Sequence, residues 1–334
     1  MDVALIGAGR GAVHAKWLSA VPGFRVAGIA CATQAAAAGL AREHPGAQAG
    51  TDPLALIRRA GLGGVVVATP THAHAELVTE ALRRDLFVVC EVPLAADPRT
   101  ALGLAELATA RYSRAYTPFQ WRENEALRQA RAALLAGDVG ELVAVDLALH
   151  DDSHVGPRTR WPWRQRRDTA GGALAELGVH AFDLLRWATG NPTWEVRSAW
   201  THRVLDTRQG PGGPVEVDVD DLAQAELRPL GQAARGRVAV SRISPEPRRL
   251  EAVLTGSRGV IRVTADGTDG SAVLTLTTGA RSLRRQTGPQ DMNPYKRLAE
   301  DIATGIDTAP TFDDGLAAVH LVHTAVAAAR RREV

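Results

Sequence analysis

The chain has 334 residues, a net charge of +2 and 45% hydrophobic residues. That length suggests two domains with ample surface to bury. The small net charge gives no reason to expect a nucleic-acid partner, and no segment approaches the roughly 18 apolar residues of a membrane span. Two cysteines, Cys31 and Cys90, fit a reduced cytoplasmic protein better than a disulfide scaffold. Asp2 and an early glycine loop interrupt the apolar core that a secretory peptide needs. All basic residues except Lys16 and Lys296 are arginine.

Residues 3–6 are an apolar strand that enters a glycine turn, and residues 12–18 follow as a helix. This is the strand–turn–helix of a dinucleotide site, with G-x-G-x-x-A as Gly7, Gly9 and Ala12. Gly7 permits the tight turn, Gly9 lets backbone approach a pyrophosphate, and Ala12 is expected to let the helix sit close to the strand. Arg10 and Gly11 complete the loop at the helix N-terminus, whose free N–H groups favour an anion. The bland alternative is a plain tight turn between strand and helix.

Residues 24–30 read as a second strand, followed by an alanine-rich helix over 34–43. NAD sites place an acid about 20 residues after the glycine turn, to hold the ribose 2′-OH. Here no acid occurs between Asp2 and Glu43, and the strand ends in Cys31-Ala32-Thr33. Nothing there repels a 2′-phosphate, and Thr33 with Arg10 offers to accept one. The reading therefore leans to NADP, with NAD as the alternative.

A short helix over 52–59, with Thr51 as its cap, leads to the buried strand 63–68. Thr69, Pro70 and Thr71 close that strand, and His74 opens a helix to residue 84, where His72 and His74 shape the loop. The strand 86–90 ends in Glu91-Val92-Pro93, with Pro93 expected to support an unusual peptide geometry. A helix over 98–110 and a strand over 114–119 follow. Alternating strands and helices give a doubly wound parallel sheet, whose ligands sit at the carboxyl ends of the strands.

GAGRGAVHA at 7–15, ATPTHAH at 68–74, CEVPLA at 90–95, PFQWR at 118–122, GGALAELGVHAFDLLRW at 171–187 and LTGSRGVIRV at 254–263 occur in one order. By that ordered set the chain resembles the Gfo/Idh/MocA oxidoreductases over nearly its whole length. The resemblance implies an N-terminal Rossmann domain over 1–118. It also implies a C-terminal α+β substrate-binding domain over 119–334, with a large, mostly antiparallel open sheet that builds homodimers or homotetramers. Alternating runs at 142–149, 222–227, 237–243, 250–255, 260–264 and 273–277 agree independently, and residues 295–304 and 315–331 read as closing helices.

The resemblance further implies an NAD(P)-dependent dehydrogenase acting on a hydroxyl or ketone carbon of a sugar, aminosugar or cyclitol-like molecule. Its acid/base pair maps to Glu176 and His180, spaced i,i+4 and so on one helical face. A carboxylate there raises the imidazole's proton affinity, and Asp183 takes the place of a supporting carboxylate. A packed core histidine is the alternative for His180. Trp163 is expected over the cofactor, and Arg122, Asp152 and Arg164 at the substrate. For Arg122 a structural link is equally open, as is a simple hydrophobic anchor for Trp163 and its neighbours. The basic loop with Arg158, Arg160, Arg166 and Arg167 reads as solvated charge, with an anionic substrate as the sharper reading. No metal site is expected.

The family's Glu-Lys-Pro motif is broken here: its lysine position holds Val92, which carries no charge and no hydrogen-bonding side chain. Three readings stay open. His180 does the proton work with a second group, or the substrate is an imine or conjugated double bond, or the protein binds dinucleotide and ligand without turnover.

Overall fold

A computed structural model describes residues 1–155, 166, 171–210 and 212–330. The chain divides into two units, residues 1–118 with 293–319, and residues 119–292 with 320–334.

In the first unit the strands are β1 (Asp2–Ile6), β2 (Arg25–Ala30), β3 (Gln48–Gly50), β4 (Gly64–Val67), β5 (Phe87–Cys90) and β6 (Ala115–Tyr116). They form one parallel sheet in the order β3-β2-β1-β4-β5-β6. The helices between them are α1 (Gly9–Ser19), α2 (Gln34–Ala41), α3 (Pro53–Ile57), α4 (His74–Arg83) and α5 (Pro98–Ala110). Successive side chains of a strand point to opposite faces. Accordingly Val3 and Leu5 join the apolar cluster under α1, while Ala4 and Ile6 join the one under α4 and α5. Both faces are covered, which is why β1, β4 and β5 read as unbroken apolar runs. The order reverses between β1 and β4, the switch point at which such sheets bind ligands.

The helix read over 12–18 begins earlier, at Gly9. The cap of α3 is Asp52, whose Oδ1 accepts from Ala55 N–H at 2.9 Å, and not Thr51. A second difference concerns the C-terminal segment. Residues 293–319, expected in the second domain, cluster with the first unit. Tyr295 and Leu298 pack in the cluster under α1, and Phe312 and Val319 in the opposite one. Thr117 N–H donates to Pro310 at 3.0 Å, and Tyr116 forms an antiparallel bridge with Thr311, so this segment covers the β6 edge.

The second unit has α6 (Glu125–Leu135), β7 (Leu142–His150), a π-helical turn Leu174–Gly178 that runs into α7 (Val179–Thr189), and β8 (Trp194–His202). A hairpin, β9 (Thr207–Gly210) with β10 (Gly213–Glu216), stands apart from the large sheet. Next come β11 (Leu222–Pro229), β12 (Arg235–Ser241), β13 (Arg249–Gly256), β14 (Gly259–Asp266), β15 (Ala272–Thr278) and β16 (Arg281–Thr287). Eight of these strands form the sheet β16-β15-β14-β13-β7-β12-β11-β8, antiparallel except where β12 pairs with β7. Val145, Leu147 and Leu149 alternate inward on β7, as do Leu250, Ala252 and Leu254 on β13, against Leu127, Phe182 and Leu185 of α6 and α7. The fold is the expected mixed α/β architecture. After β16 come α8 (Pro294–Thr304) and α9 (Phe312–Arg330). No helix among the described residues is long and apolar enough to cross a membrane.

A chain ending at Pro118 would lose Tyr295, Leu298, Phe312 and Val319 from both clusters. Removing large buried side chains typically costs about 2–5 kcal/mol each. Such a chain is expected to melt without a cooperative transition by circular dichroism. Joining residues 1–118 to 293–319 through a flexible linker should restore one. A sharp melt of the 1–118 chain at the full-length temperature would refute this division.

Candidate active site

The glycine turn packs on the end of β4. Gly7 has φ +109°, its N–H donates to Ala30 at 2.8 Å, and a Cβ there would stand 2.3 Å from the Ala68 carbonyl oxygen. Gly7 is therefore fixed by both backbone angle and space. At Gly9 a Cβ would meet nothing within 4 Å, and no side chain caps α1. The start of α1 thus presents open, uncapped N–H groups, which suits an anion. The residue that lets α1 approach β1 is Gly11, not Ala12. Gly11 is buried with its Cβ position 3.6 Å from Leu5, while Ala12 is exposed. Because α1 starts at Gly9, its phase turns position 11 inward.

Glu91 follows β5 and is buried. Its Oε1 accepts from Arg10 Nε and from His14 Nε2, each at 2.8 Å, and its Oε2 accepts from Val92 N–H at 3.0 Å. Since an ionised carboxylate only accepts, His14 Nε2 carries a proton on that side, and its Nδ1 lies 2.7 Å from the Tyr295 hydroxyl. Burial alone would push the Glu91 carboxyl up, but Arg10 and His14 hold it well below the usual range. Burial, then Glu91, push the Tyr295 phenol well above its usual value. The Arg10 guanidinium also lies over the Trp17 ring, 5.4 Å from its centroid.

His74 ties two strand ends together. Its Nδ1 lies 3.0 Å from the Pro93 carbonyl oxygen and its Nε2 2.9 Å from that of Thr69. Burial moves its pKa below the usual histidine value, against those two carbonyls. Val92, partly buried, follows Glu91, and the Val92–Pro93 peptide is cis. The hydroxyls of Thr69 and Thr71 are buried without a hydrogen-bond partner. Pro70, between them, is partly exposed, as is Thr69. At the end of β2, Cys31 is buried while Ala32 and Thr33 are exposed. The Thr33 hydroxyl caps α2 by accepting from Ala36 N–H at 3.2 Å. Turn, β2 end, β4 end and β5 end thus lie together at the carboxyl edge of one sheet.

In the second unit His180 is 6% exposed, and its ring packs edge-on to Phe119 with centroids 5.9 Å apart. Glu176, one turn earlier, receives the Arg242 guanidinium on Oε2. Arg242 also donates to Ser153 Oγ at 2.9 Å and to Asp151 Oδ2 at 3.3 Å. Asp183 takes a bidentate pair from Arg122, one arm at 2.9 Å, with both groups buried. Arg122 therefore braces α7 against the turn at Gln120–Glu123. Asp152 is exposed on the loop after β7, and His154 is buried near Asp221. Trp163, Arg164, Arg158, Arg160 and Arg167 lie outside the described residues, and Arg166 is exposed. Among the described residues no group of three or more acidic, histidine or cysteine side chains is placed to hold a metal ion.

Three groups escaped the sequence reading. Arg242 looks like the next residue of an alternating strand, Tyr295 like an ordinary helix opening, and Asp220 like loop charge. Asp220 Oδ2 accepts from Leu174 N–H at 2.8 Å and so caps the turn that carries Glu176. A Cβ on Gly172, at φ +108°, would stand 2.4 Å from Asp220 Oδ1, which explains the second glycine of the pair before α7. Only that close approach, invisible in one sequence, reveals the cap.

Residues 1–117 match the family model described as oxidoreductase family, NAD-binding Rossmann fold, and residues 127–262 match the GFO/IDH/MocA C-terminal domain. The rhizopine catabolism protein MocA of Rhizobium meliloti is 30% identical over 244 residues, covering 72% of this chain and 71% of that protein. Inositol 2-dehydrogenase of Rhizobium meliloti (strain 1021) is 27% identical, with 99% of this chain and 97% of that protein covered. The structure of levoglucosan dehydrogenase in complex with NADH and levoglucosan superposes with a TM-score of 0.89 at 21% identity, covering 99% of this chain and 97% of that one.

Burial raises the Asp220 carboxyl to about 6 from 3.8, against the Leu174 N–H. The folded state thus holds this proton more tightly than the unfolded state, so its contribution to stability falls as pH rises from about 4 to about 6. Asp220→Asn keeps an oxygen for the cap and removes the titration. The melting temperature of the variant minus that of the native chain should climb across that window and level off above pH 7. A difference independent of pH would contradict it.

Proposed function

The chain belongs to the GFO/IDH/MocA oxidoreductase family, and from that premise we propose that it transfers hydride between a nicotinamide dinucleotide and a hydroxyl-bearing or ketone carbon of a sugar, aminosugar or cyclitol-like molecule. The observation that carries this reading is the glycine turn, where Gly9 opens onto empty space at the uncapped start of α1. The unpartnered Thr69 and Thr71 hydroxyls at the same sheet edge add donors. Inositol in one relative's name and levoglucosan in one structural neighbour support the substrate class.

When bound, the dinucleotide supplies the hydride donor or acceptor. Gly7, Gly9, Arg10 and Gly11 would hold its phosphates, and Cys31, Ala32 and Thr33 would border its ribose. Thr69, Pro70, Thr71, Glu91, Val92 and Pro93 line the rest of the edge, clipped in place by His74. Ala12 is too exposed to help pack the helix and takes part only as turn backbone. The proton passes through His180. Its Nδ1 is buried, so the exchange is assigned to Nε2. Glu176 orients that ring from one turn away. Asp152 is the exposed candidate for a substrate hydroxyl; Arg122, already committed to Asp183, acts as a brace instead.

The β2 corner has no acid to reject a 2′-phosphate, so NADPH is accepted. Arg10 and Thr33 already have partners, so neither forms a dedicated phosphate clamp. Discrimination between NADPH and NADH should stay within about tenfold, equivalent to ~1.4 kcal/mol. Val92 favours a second reading, reduction of an imine or conjugated double bond as a substrate that does without a lysine at that position. Binding without turnover is the third. The outer face of the large sheet exposes Trp200, which supports a homodimer or homotetramer through it. Buried free Cys31 and Cys90 fit the cytoplasm.

The test is a panel of inositols, anhydrosugars, ketoses and cyclic imines followed by nicotinamide absorbance at 340 nm. Turnover of a polyol is expected, turnover of imines alone supports the second reading, and no turnover with tight dinucleotide binding the third. His180→Ala should lower kcat about 100-fold or more while dinucleotide affinity stays unchanged. An unaltered kcat would remove His180 from the reaction. With an active substrate in hand, comparing kcat/KM for the two dinucleotides checks the tenfold limit.

A further inference from the structure

We propose that Arg242 is a positioning residue that sets the proton affinity of His180 by neutralising Glu176. The arginine is fixed first by its backbone: its N–H donates to Asp221 at 2.9 Å, and its carbonyl accepts from His154 N–H at 2.8 Å. Its side chain is 9% exposed. One terminal nitrogen reaches Asp151 and Ser153 beyond the end of β7, and the other reaches Glu176 on the turn that opens α7. One guanidinium therefore joins the ends of two strands to the first turn of the histidine's helix. Five donors in a rigid fork permit this, and a lysine could not copy it.

Among the described residues, most charges on the elements around His180 fall into pairs. On α7, Asp183 is answered by Arg122 from the preceding turn. On α6, which packs along α7, Arg131 donates to the Trp187 carbonyl at the far end and Arg128 pairs with Glu123. Before β11, Asp221 is answered by Arg208, while Asp220 caps the turn at Leu174. Asp151 follows β7 and Arg242 follows β12, and the two meet each other. Glu176 shares a helical face with His180, and Arg242 balances it. A carboxylate with no cation near it raises a neighbouring imidazole by roughly 1–3 pH units, and one held by a guanidinium acts as a weak dipole instead. Arg242 thus keeps the ring ready to lose its proton as well as to gain it, as a reversible dehydrogenase needs.

The catalytic consequence rests on the proposed role of His180, but its titration is measured whether or not it reacts. In the full chain labelled with 15N-histidine, the His180 ring resonances are assigned by their loss in His180→Gln and followed against pH. In Arg242→Gln the midpoint should rise by about one unit, and in Glu176→Gln it should fall. Arg242→Lys should lie near the native value, and the double variant Arg242→Gln/Glu176→Gln should return towards it. The corresponding limb of kcat/KM should move with the ring. If Arg242→Gln does not fold, the Glu176→Gln arm decides. An unmoved midpoint in Glu176→Gln, or displacement of both single variants in one direction, overturns the proposal. Displaced resonances with an unmoved kinetic limb leave the tuning in place and overturn the acid/base role instead.

Discussion

The first unit turns on one buried carboxylate. Glu91 receives Arg10 from the glycine turn, His14 from α1 and the N–H of Val92, and through His14 it reaches Tyr295 of α8. Three segments far apart in the chain, the start of α1, the end of β5 and α8, are thereby held at the carboxyl edge of one sheet. Such a network is a poor source of net stability, because desolvating the ions offsets most of their attraction. Breaking it is a different matter, since any partner left alone is a buried, uncompensated charge. The arrangement therefore specifies geometry: it fixes where the turn sits relative to the end of β5. An apolar substitute would hold the segments together without fixing their angles.

The second unit repeats the device with arginine forks. Asp183 is taken by Arg122, Glu176 and Asp151 by Arg242, and Asp221 by Arg208, all buried. This gives a structural meaning to a composition in which nearly every basic residue is arginine. A planar cation that donates in several fixed directions can bridge two acids and a hydroxyl at once, while an ammonium is a single point charge. Each fork joins a loop to a helix or strand, so these acids govern how α7 and its leading turn are presented.

Much of this was legible in the sequence. The runs that became β1, β4 and β5 are apolar on both faces, and the strands of the second sheet alternate, because burial is written directly into residue type. Phase and partnership were harder. Ala12 looked like the packing residue because the motif was counted from Gly7; a turn one residue shorter puts Gly11 inward. β16, Arg281–Thr287, has no apolar alternation, being exposed along most of its length, and only its pairing with β15 makes it a strand. α8 was read with its sequence neighbours, yet the His14–Tyr295 bond spans 281 residues, and no local pattern carries that. The acid–arginine pairs were out of reach for the same reason: each residue looks like solvated charge until the fold brings its counterpart.

The valine at position 92 can be weighed against this background. Along the carboxyl edge of the first sheet, the titratable groups nearest that position are already committed. Both ring nitrogens of His14 have partners, both of His74 face backbone carbonyls, and Glu91 accepts on both oxygens. Burial, with Glu91 second, pushes Tyr295 and Cys90 well above their usual values and so out of reach of neutral-pH exchange. A lysine there would add a mobile proton to an edge that otherwise has none among these groups; valine adds an apolar surface. The edge then contributes backbone N–H groups, hydroxyls and shape, all suited to holding a dinucleotide. Proton transfer has to come from a group whose surroundings are balanced without being locked, and in the proposed mechanism that is His180. On that proposal, valine at position 92 would leave the acid/base work to one imidazole, whose proton affinity would then depend on the charges beside it.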